Sequence, residues 1–352
     1  MPASHYVIEA ASAVKDKPQV VPLWDQGLTD AASNDKKYDW YHLQNPYGPG
    51  TLLLLADQAK AGARIGTVGL GVRQWWIQGR SRQVGLFSNL VVAPEYRSLG
   101  PALMLLKGIV RAGVGEYAFL YGFPNRQAAA VYRRAGYRVL GEMGRYVRPL
   151  DTRRYLRQHV PDWLSRCVAP ALNMALKLRA CARNARALWR HRGLRGVWLE
   201  GPNRQFDALW HSGQHDGMMC CRRDETFLRW RFFHPLLDKN YAIYAAYNAD
   251  QSALLGYVVF EPTATGVFVA DFFAGNHLDL TAVLYHFASA MAQRGVGNIA
   301  LEFFGDAEIR RVLAALGFVL RESRPLYYCA GDGLQPQITN ANWYITAADE
   351  DL

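Results

Sequence analysis

Two stretches of this 352-residue chain place residue types at spacings that suit chemistry. The first runs Leu90-Val91-Val92-Ala93-Pro94-Glu95-Tyr96-Arg97-Ser98-Leu99-Gly100-Pro101-Ala102. It reads as a strand, a proline turn, and a small-residue loop that opens a helix. The first turn of a helix has unpaired N–H groups and the positive end of the dipole, so it binds phosphate. Gly100 and Ala102 let a pyrophosphate come close to the backbone. Arg97 can add a charge-assisted contact. The second stretch, about 30 residues on, is Asn125-Arg126-Gln127-Ala128-Ala129-Ala130-Val131-Tyr132-Arg133-Arg134-Ala135-Gly136-Tyr137. It puts a phenol on a helical segment that ends in Gly plus an aromatic.

The elements that position these residues come in a faint internal repeat, which sets the expected architecture. Trp40 stands in Tyr38-Asp39-Trp40-Tyr41, before Asn45-Pro46. Trp230 stands in Phe227-Leu228-Arg229-Trp230-Arg231, before His234-Pro235. Each is followed by an apolar run, Thr51–Ala56 or Tyr241–Tyr247, and by a second run with an early glycine, Gly66 or Gly256. A longer β-type stretch follows, Gln83–Val92 and Gly266–Phe273. Then come a helix (Gly100–Ala112, Leu278–Arg294), a short strand (Glu116–Tyr121, Asn298–Phe304) and a second helix (Ala128–Ala135, Ala307–Leu316). Each half is expected to close with one more strand, Tyr137–Val147 or Phe318–Tyr328.

The first stretch fits V-x-P-x-x-R-x-x-G-x-A from Val92 to Ala102, and the second fits N-x-x-A-x-x-x-Y-x-x-x-G-[FY]. Together, and in this order, they resemble the GNAT superfamily of N-acyltransferases, closely over Tyr38 to Arg148. The resemblance implies an α+β fold: two tandem GNAT-like domains, each a mixed, mostly antiparallel sheet flanked by helices. The expected division is residues 1–150 with the acyl-CoA loop, 151–204 as a basic helical linker, and 205–352 as a degenerate second domain. It further implies acetyl-CoA or another acyl-CoA as substrate, without a metal. Arg97, Ser98, Leu99, Gly100, Pro101 and Ala102 would cradle the pyrophosphate. The strand end at Leu90 and Val92 would bond the pantetheine arm, and Asn125 would face the cofactor. Tyr132 would be the general acid. A thiolate leaves with a pKa near 8–9, and a phenol near 10 beside it can share its proton as the bond breaks.

Two departures stand out. Pro101 removes one N–H from the cradle, although proline is accepted in the first turn of a helix. Ser88 and Asn89 stand where family members often carry Glu, so no general base is evident. Glu95, Glu116 and Glu142 are near in sequence but read as solvated surface carboxylates, and a water chain is the alternative. In the second half, Ala274-Gly275-Asn276-His277-Leu278-Asp279-Leu280 replaces the loop, with no Arg and with Asp279 repelling phosphate. That half is expected to bind no coenzyme A and to shape the acceptor site. His211, His215, His277 and His286 lack metal-ligand spacing and read as structural.

Composition is that of a globular protein, with 50% hydrophobic and 20% charged residues. Cys167, Cys181, Cys220, Cys221 and Cys329 are odd in number with no C-x-x-C pair, so neither a disulfide framework nor zinc is expected. The residues from Met1 to Ala13 show no signal peptide and no apolar run suits a membrane span, so a cytoplasmic location is expected. Between Arg145 and Arg204, thirteen arginines and Lys177 face only Asp151, Asp162 and Glu200, a surplus of eleven positive charges where the whole chain has +10. No nucleic-acid partner is therefore expected; the basicity is local. A helix is expected from Asp162 to Arg192, interrupted by Pro170. It either lies on an anionic membrane at the inner face or packs on the domains with its arginines in water; the packed form is the one expected.

The Trp-x-x-x-x-Asn-Pro opening and the Trp343-Tyr344-Ile345-Thr346 end resemble tandem GNAT proteins associated with bacterial surface-polysaccharide synthesis. That implies a primary amine acceptor, a small molecule or an amino sugar. The competing readings are a FemAB-like aminoacyl transferase using aminoacyl-tRNA and a catalytically inert binding module.

Overall fold

The computed structural model describes residues 5–28, 33–125, 128–157, 160–213, 217–331 and 333–351. Arg126, Gln127, His215 and the first four residues of the N-terminal stretch considered above lie outside them. The first half supplies β1 (Tyr6–Ala11), β2 (Thr51–Asp57), β3 (Ala63–Ile77), β4 (Arg80–Val92), β5 (Leu120–Gly122) and β6 (Arg138–Pro149). The second supplies β7 (Arg195–Leu199), β8 (Met218–Cys221), β9 (Ala242–Tyr247), β10 (Leu254–Pro262), β11 (Val267–Ala274), β12 (Asn298–Gly305), β13 (Val319–Cys329) and β14 (Asn342–Thr346). The helices that matter below are α1 (Lys17–Gly27), α2 (Leu99–Gly113), α3 (Ala129–Arg134), α4 (Asp162–Arg183), α5 (Glu225–Phe232), α6 (His277–Gln293) and α7 (Ala307–Ala315).

All these strands join in one sheet, in the order β1-β2-β3-β4-β5-β13-β6-β12-β11-β10-β9-β7, with β8 and β14 off that path. Read from either end, the order is the same series of matched elements. Its centre corrects the expected closing strands: each half gives its last strand to the other. β13 pairs antiparallel with β5, Tyr327 opposite Gly122, and β6 pairs antiparallel with β12, Phe303 opposite Gly144. β6 and β13 pair with each other between them, Val319 opposite Val147. A strand's residue pattern specifies which face is buried, not which edge it joins.

Matched residues explain themselves once the backbone is seen. A Cβ on Gly66 would stand 2.9 Å from the Val91 carbonyl oxygen, and one on Gly256 would stand 2.6 Å from that of Phe273. Gly136 and Gly317 follow α3 and α7 with φ of +103° and +88°, the left-handed region that ends a helix. Trp40 and Trp230 stack across the pseudo-symmetric centre, 4.8 Å apart with planes at 12°. Each indole N–H donates to the other's backbone carbonyl, at 2.8 and 3.0 Å. Two buried indoles with both N–H groups satisfied hold the halves together without a polar penalty.

The linker differs from expectation at Pro170 and near its end, where Arg195–Leu199 forms β7 and pairs antiparallel with β9. Pro170 lies inside α4 without ending it; the helix runs on to Arg183, and a separate short helix covers Ala185–Arg190. Only Ser165, Ala169 and Ala180 of α4 are buried, while Trp163, Met174 and Leu178 are exposed. Among the described residues no helix is long and apolar enough to cross a membrane.

Candidate functional site

The site of the first half is made by a defect in pairing. β4 pairs parallel with β5 only at Gly85–Leu120 and Leu86–Tyr121. Beyond that point the strand bulges. Asn89 and Leu90 together oppose Val68 of β3, and Asn89 takes a left-handed φ of +53°. Asn tolerates that region better than most residues, and a bulge bends its strand and re-aims the side chains. β4 and β5 therefore diverge, and among the described residues no strand pairs with Phe87–Val92 on the side facing β5. The groove between them has backbone groups along one wall, the arrangement that a pantetheine arm with two amides would use.

At the end of this groove, Pro94–Tyr96 forms a single turn and α2 begins at Leu99. Ser98 is the N-cap residue but makes no side-chain cap bond, and no acidic residue stands in the first turn. A Cβ on Gly100 would meet nothing nearer than the Ser98 Oγ at 4.0 Å. The helix end is thus open and its donors are not met by its own side chains, which fits a pyrophosphate. Arg97 to Gly100 are exposed, Pro101 is buried and Ala102 half-buried. Arg97 braces the loop: Nε donates to the Val92 carbonyl at 3.3 Å and Nη2 to the Gln26 carbonyl at 3.1 Å. Asn125 is occupied in a similar way, its Oδ1 accepting from the Ala128 N–H at 2.9 Å at the start of α3.

Tyr132 lies on α3 under the groove and is 4% exposed. Its ring packs on Phe87 at 4.7 Å, Tyr137 at 4.9 Å and Tyr327 at 5.9 Å, the last brought by the exchanged β13. The hydroxyl sits 3.5 Å from where a Cβ of Gly122 would be, beside the last residue of β5. Burial raises its pKa well above the usual phenol value, and the charge of Asp351 adds to that. Tyr132 keeps its proton at any physiological pH.

The opposite side of the sheet carries groups that the sequence did not single out. Arg73 on β3 is completely buried, stacked on Trp230 at 4.7 Å and near Tyr41 at 5.3 Å. Its Nη1 donates to the Val72 carbonyl, but Nε and Nη2 have no partner among the described residues. Ser88 and Arg231 are also buried here, Ser88 beside the Tyr41 hydroxyl and Arg231 beside that of Tyr241. Burial pushes the Tyr41 phenol up to about 12 and the His42 imidazole down to about 4. The C-terminal segment crosses this surface. Tyr121 donates to the Asp349 carbonyl at 2.8 Å, and Arg231 donates to the carbonyls of Ala348 at 2.9 Å and Glu350 at 3.1 Å. Asp351 follows, and its charge acts on Tyr41, Arg73 and Tyr132. Glu116 and Glu142 are instead exposed and bonded to Thr51 and Ser323, and Glu95 is exposed. The only sequence signal for the missed group was the pairing of Trp40-Tyr41 with Trp230-Arg231 in the repeat.

In the second half the corresponding groove is full. β11 and β12 pair parallel only from Val267–Ile299 to Val269–Leu301, and a bulge follows at Ala270. Here β14 pairs with β12, Thr346 opposite Phe303, while the Tyr344 hydroxyl donates to the Phe272 carbonyl of β11. Thr346 also bonds Asp271 at 2.6 Å, and Arg223 makes a two-point contact with Asp349 at 2.6 and 2.9 Å. The end of α6 is closed as well. Asn276 Oδ1 accepts from the N–H groups of Leu278 and Asp279, both at 3.0 Å, and Asp279 is bound to His191 at 2.8 Å.

No family model matches the chain, and no curated protein matches it. Solved structures do. A GCN5-related N-acetyltransferase from Anabaena variabilis aligns with a TM-score of 0.61 at 15% identity, over 92% of this chain and 72% of that one. A conserved protein of unknown function from Enterococcus faecalis, described as a probable N-acyltransferase, aligns with a TM-score of 0.64 at 12% identity, over 92% and 71%. A tandem GNAT protein from the clavulanic acid biosynthesis pathway, solved without AcCoA, aligns with a TM-score of 0.50 at 12% identity, over 92% and 98%. Likeness at this identity shows the fold, and the fold is that of the GCN5-related N-acetyltransferases.

Proposed function

We propose that the chain is an acyl-CoA-dependent N-acyltransferase, with acetyl as the expected acyl group and its one cofactor groove in the first half. The observation that carries this reading is the open groove ending on an uncapped helix, Leu90 to Ala102, with Tyr132 beneath it. Acyl-CoA supplies the activated acyl group as a thioester. The backbone from Arg97 to Ala102 holds the pyrophosphate, and the unpaired edge of β4 holds the pantetheine amides. A primary amine attacks the thioester carbonyl directly, with no covalent enzyme intermediate. Tyr132 holds the proton that passes to the leaving sulfur. Asp351 takes the proton from the amine on the other face; what supports this is that its charge acts on both Tyr41 and Tyr132.

The acceptor reading, an amino sugar of a surface polysaccharide, rests on the resemblance of the Trp40 to Pro46 opening and of Trp343 to Thr346. The test is twofold. Calorimetric titration with coenzyme A should give one site per chain. Thiol release from acetyl-CoA should rise when a panel of primary amines that includes amino sugars is added. Two sites, or no coenzyme A binding, would overturn the assignment of the groove; binding without amine-dependent release would favour the inert module.

A further inference from the structure

A cavity lined by none of the residues of the acyl-CoA groove lies beside the linker helix. It occupies about 600 Å³ between α4, the later turns of α6, the Ala314–Val319 connection from α7 into β13, and the end of β6. Its volume falls within the range of small-molecule sites. Its walls include Pro170, Met174, Leu176, Ala180, Leu316 and Phe318, so they are largely apolar. Its charged residues are all of one sign: Arg148, Lys177, Arg179, Arg183 and Arg321, with no carboxylate among the lining residues. Arg148 carries the point furthest. Its Nη1 is buried with no hydrogen-bond partner among the described residues. A guanidinium N–H left in that state costs free energy unless an acceptor arrives.

The linker helices, of which α4 supplies part of this lining, also carry exposed apolar side chains. Trp163, Leu178 and Trp189 are 68%, 61% and 74% exposed, and Met174 is 56% exposed. The same segment carries exposed Lys177, Arg179, Arg186 and Arg190, while Arg166 is paired with Asp162 at 2.8 Å. Exposed tryptophan among arginines is the composition of a surface that dips into a lipid headgroup layer. A soluble anion would use the cations and leave the apolar walls idle. A neutral apolar molecule would use the walls and leave Arg148 without an acceptor. A molecule with an apolar chain and an anionic head uses both.

We propose that this cavity takes the acyl chain of an anionic membrane phospholipid, with the phosphate at the mouth against Arg148 and its neighbouring cations. The α4 surface rests on the bilayer that presents the lipid. This site is separate from the acyl-CoA groove and does not depend on it.

Vesicles of phosphatidylcholine alone, or mixed with phosphatidylglycerol, distinguish this from simple adsorption of a basic helix. The full chain should sediment with the mixed vesicles and not with the neutral ones. Ser289→Trp, at a half-buried lining position, fills the cavity without changing charge. It should weaken binding about tenfold, the loss for about two methylenes no longer buried. Ala292→Trp, at the exposed rim, should act in the same direction and serves where Ser289→Trp lowers the melting temperature. Arg148→Gln should also weaken binding. Equal binding to neutral vesicles would overturn the proposal, as would no binding to either. So would mixed-vesicle binding unchanged by both cavity-filling variants, which would reduce the contact to surface charge. Uptake of dodecyl phosphate without vesicle binding would overturn the membrane as the source.

Discussion

The two halves share a strand order, a bulge, a matched pair of glycines and a tryptophan each, yet they differ where chemistry would occur. In the first half the bulge at Asn89 leaves Phe87–Val92 with no strand on the β5 side among the described residues, and leads to a helix end with no side-chain cap. In the second the bulge at Ala270 opens the same groove, and the chain's own β14 fills it. The helix end beyond is met by Asn276 and Asp279. A duplicated frame therefore keeps its fold while each groove meets its polar backbone in a different way. Buried backbone groups must be paired, either by a ligand or by protein. In the second half the chain supplies the partner itself through β14, and that segment then continues to Asp351.

The strongest test of this asymmetry is Gly100→Glu. Space allows the side chain, so the fold should survive, but a carboxylate would then stand where a pyrophosphate is to sit. Calorimetry should show coenzyme A binding abolished; unchanged affinity would remove the cradle from the first half. Next in size is Asp349→Ala, which leaves Arg223 buried without its two-point partner. Breaking a buried ion pair from one side costs about 3–5 kcal/mol, so thermal or denaturant unfolding should shift by that order. A shift under ~1 kcal/mol would show that the second groove is not held shut by this contact.

Tyr132→Phe removes one hydroxyl and keeps the packed ring. Turnover should fall about a hundredfold, or about 2.7 kcal/mol, with acyl-CoA affinity kept. Because burial raises the Tyr132 pKa well above 10, the wild-type rate should show no alkaline decline from this group below that pH. Full activity in the Phe variant would make Tyr132 a packing residue. The smallest expected effect belongs to Asn276→Ala, which uncaps α6 at a cost of about 1 kcal/mol in stability. The stoichiometry of coenzyme A should stay at one, because β14 still fills the groove. A second site in that variant would show the cap, not the strand, to be what excludes the ligand.

Much of this frame was legible in the residues. The helix read at Gly100–Ala112 is observed at Leu99–Gly113, and that read at Leu278–Arg294 at His277–Gln293. Both segments are long; the first is strongly periodic and the second is a largely apolar run of helix length. The short strand read at Glu116–Tyr121 is observed at Leu120–Gly122, because Glu116 and Tyr117 instead close a turn on the Gly113 carbonyl at the end of α2. The residue pattern marks no strand at β1, β7 or β8. Each is short and lies near an edge or off the main path, so its pairing partner, more than its own pattern, makes it a strand. Pro170 predicts a break, yet the helix continues through it.

What the sequence determined by itself is the part that depends on local spacing. The glycines that let strands approach, the helices with their left-handed ends at Gly136 and Gly317, and the uncapped Ser98–Ala102 loop against the self-capped Asn276 loop are all written in neighbouring residues. What only the tertiary structure decided is the part that depends on residues far apart in the chain. It chose which edge received β6 and β13, closed the second groove with β14, buried Arg73 against Trp230, and brought Asp351 to the face opposite Tyr132. The physical reason is that sheet edges and buried cations are satisfied by whatever partner the whole fold delivers. No window of sequence contains both the need and the group that meets it.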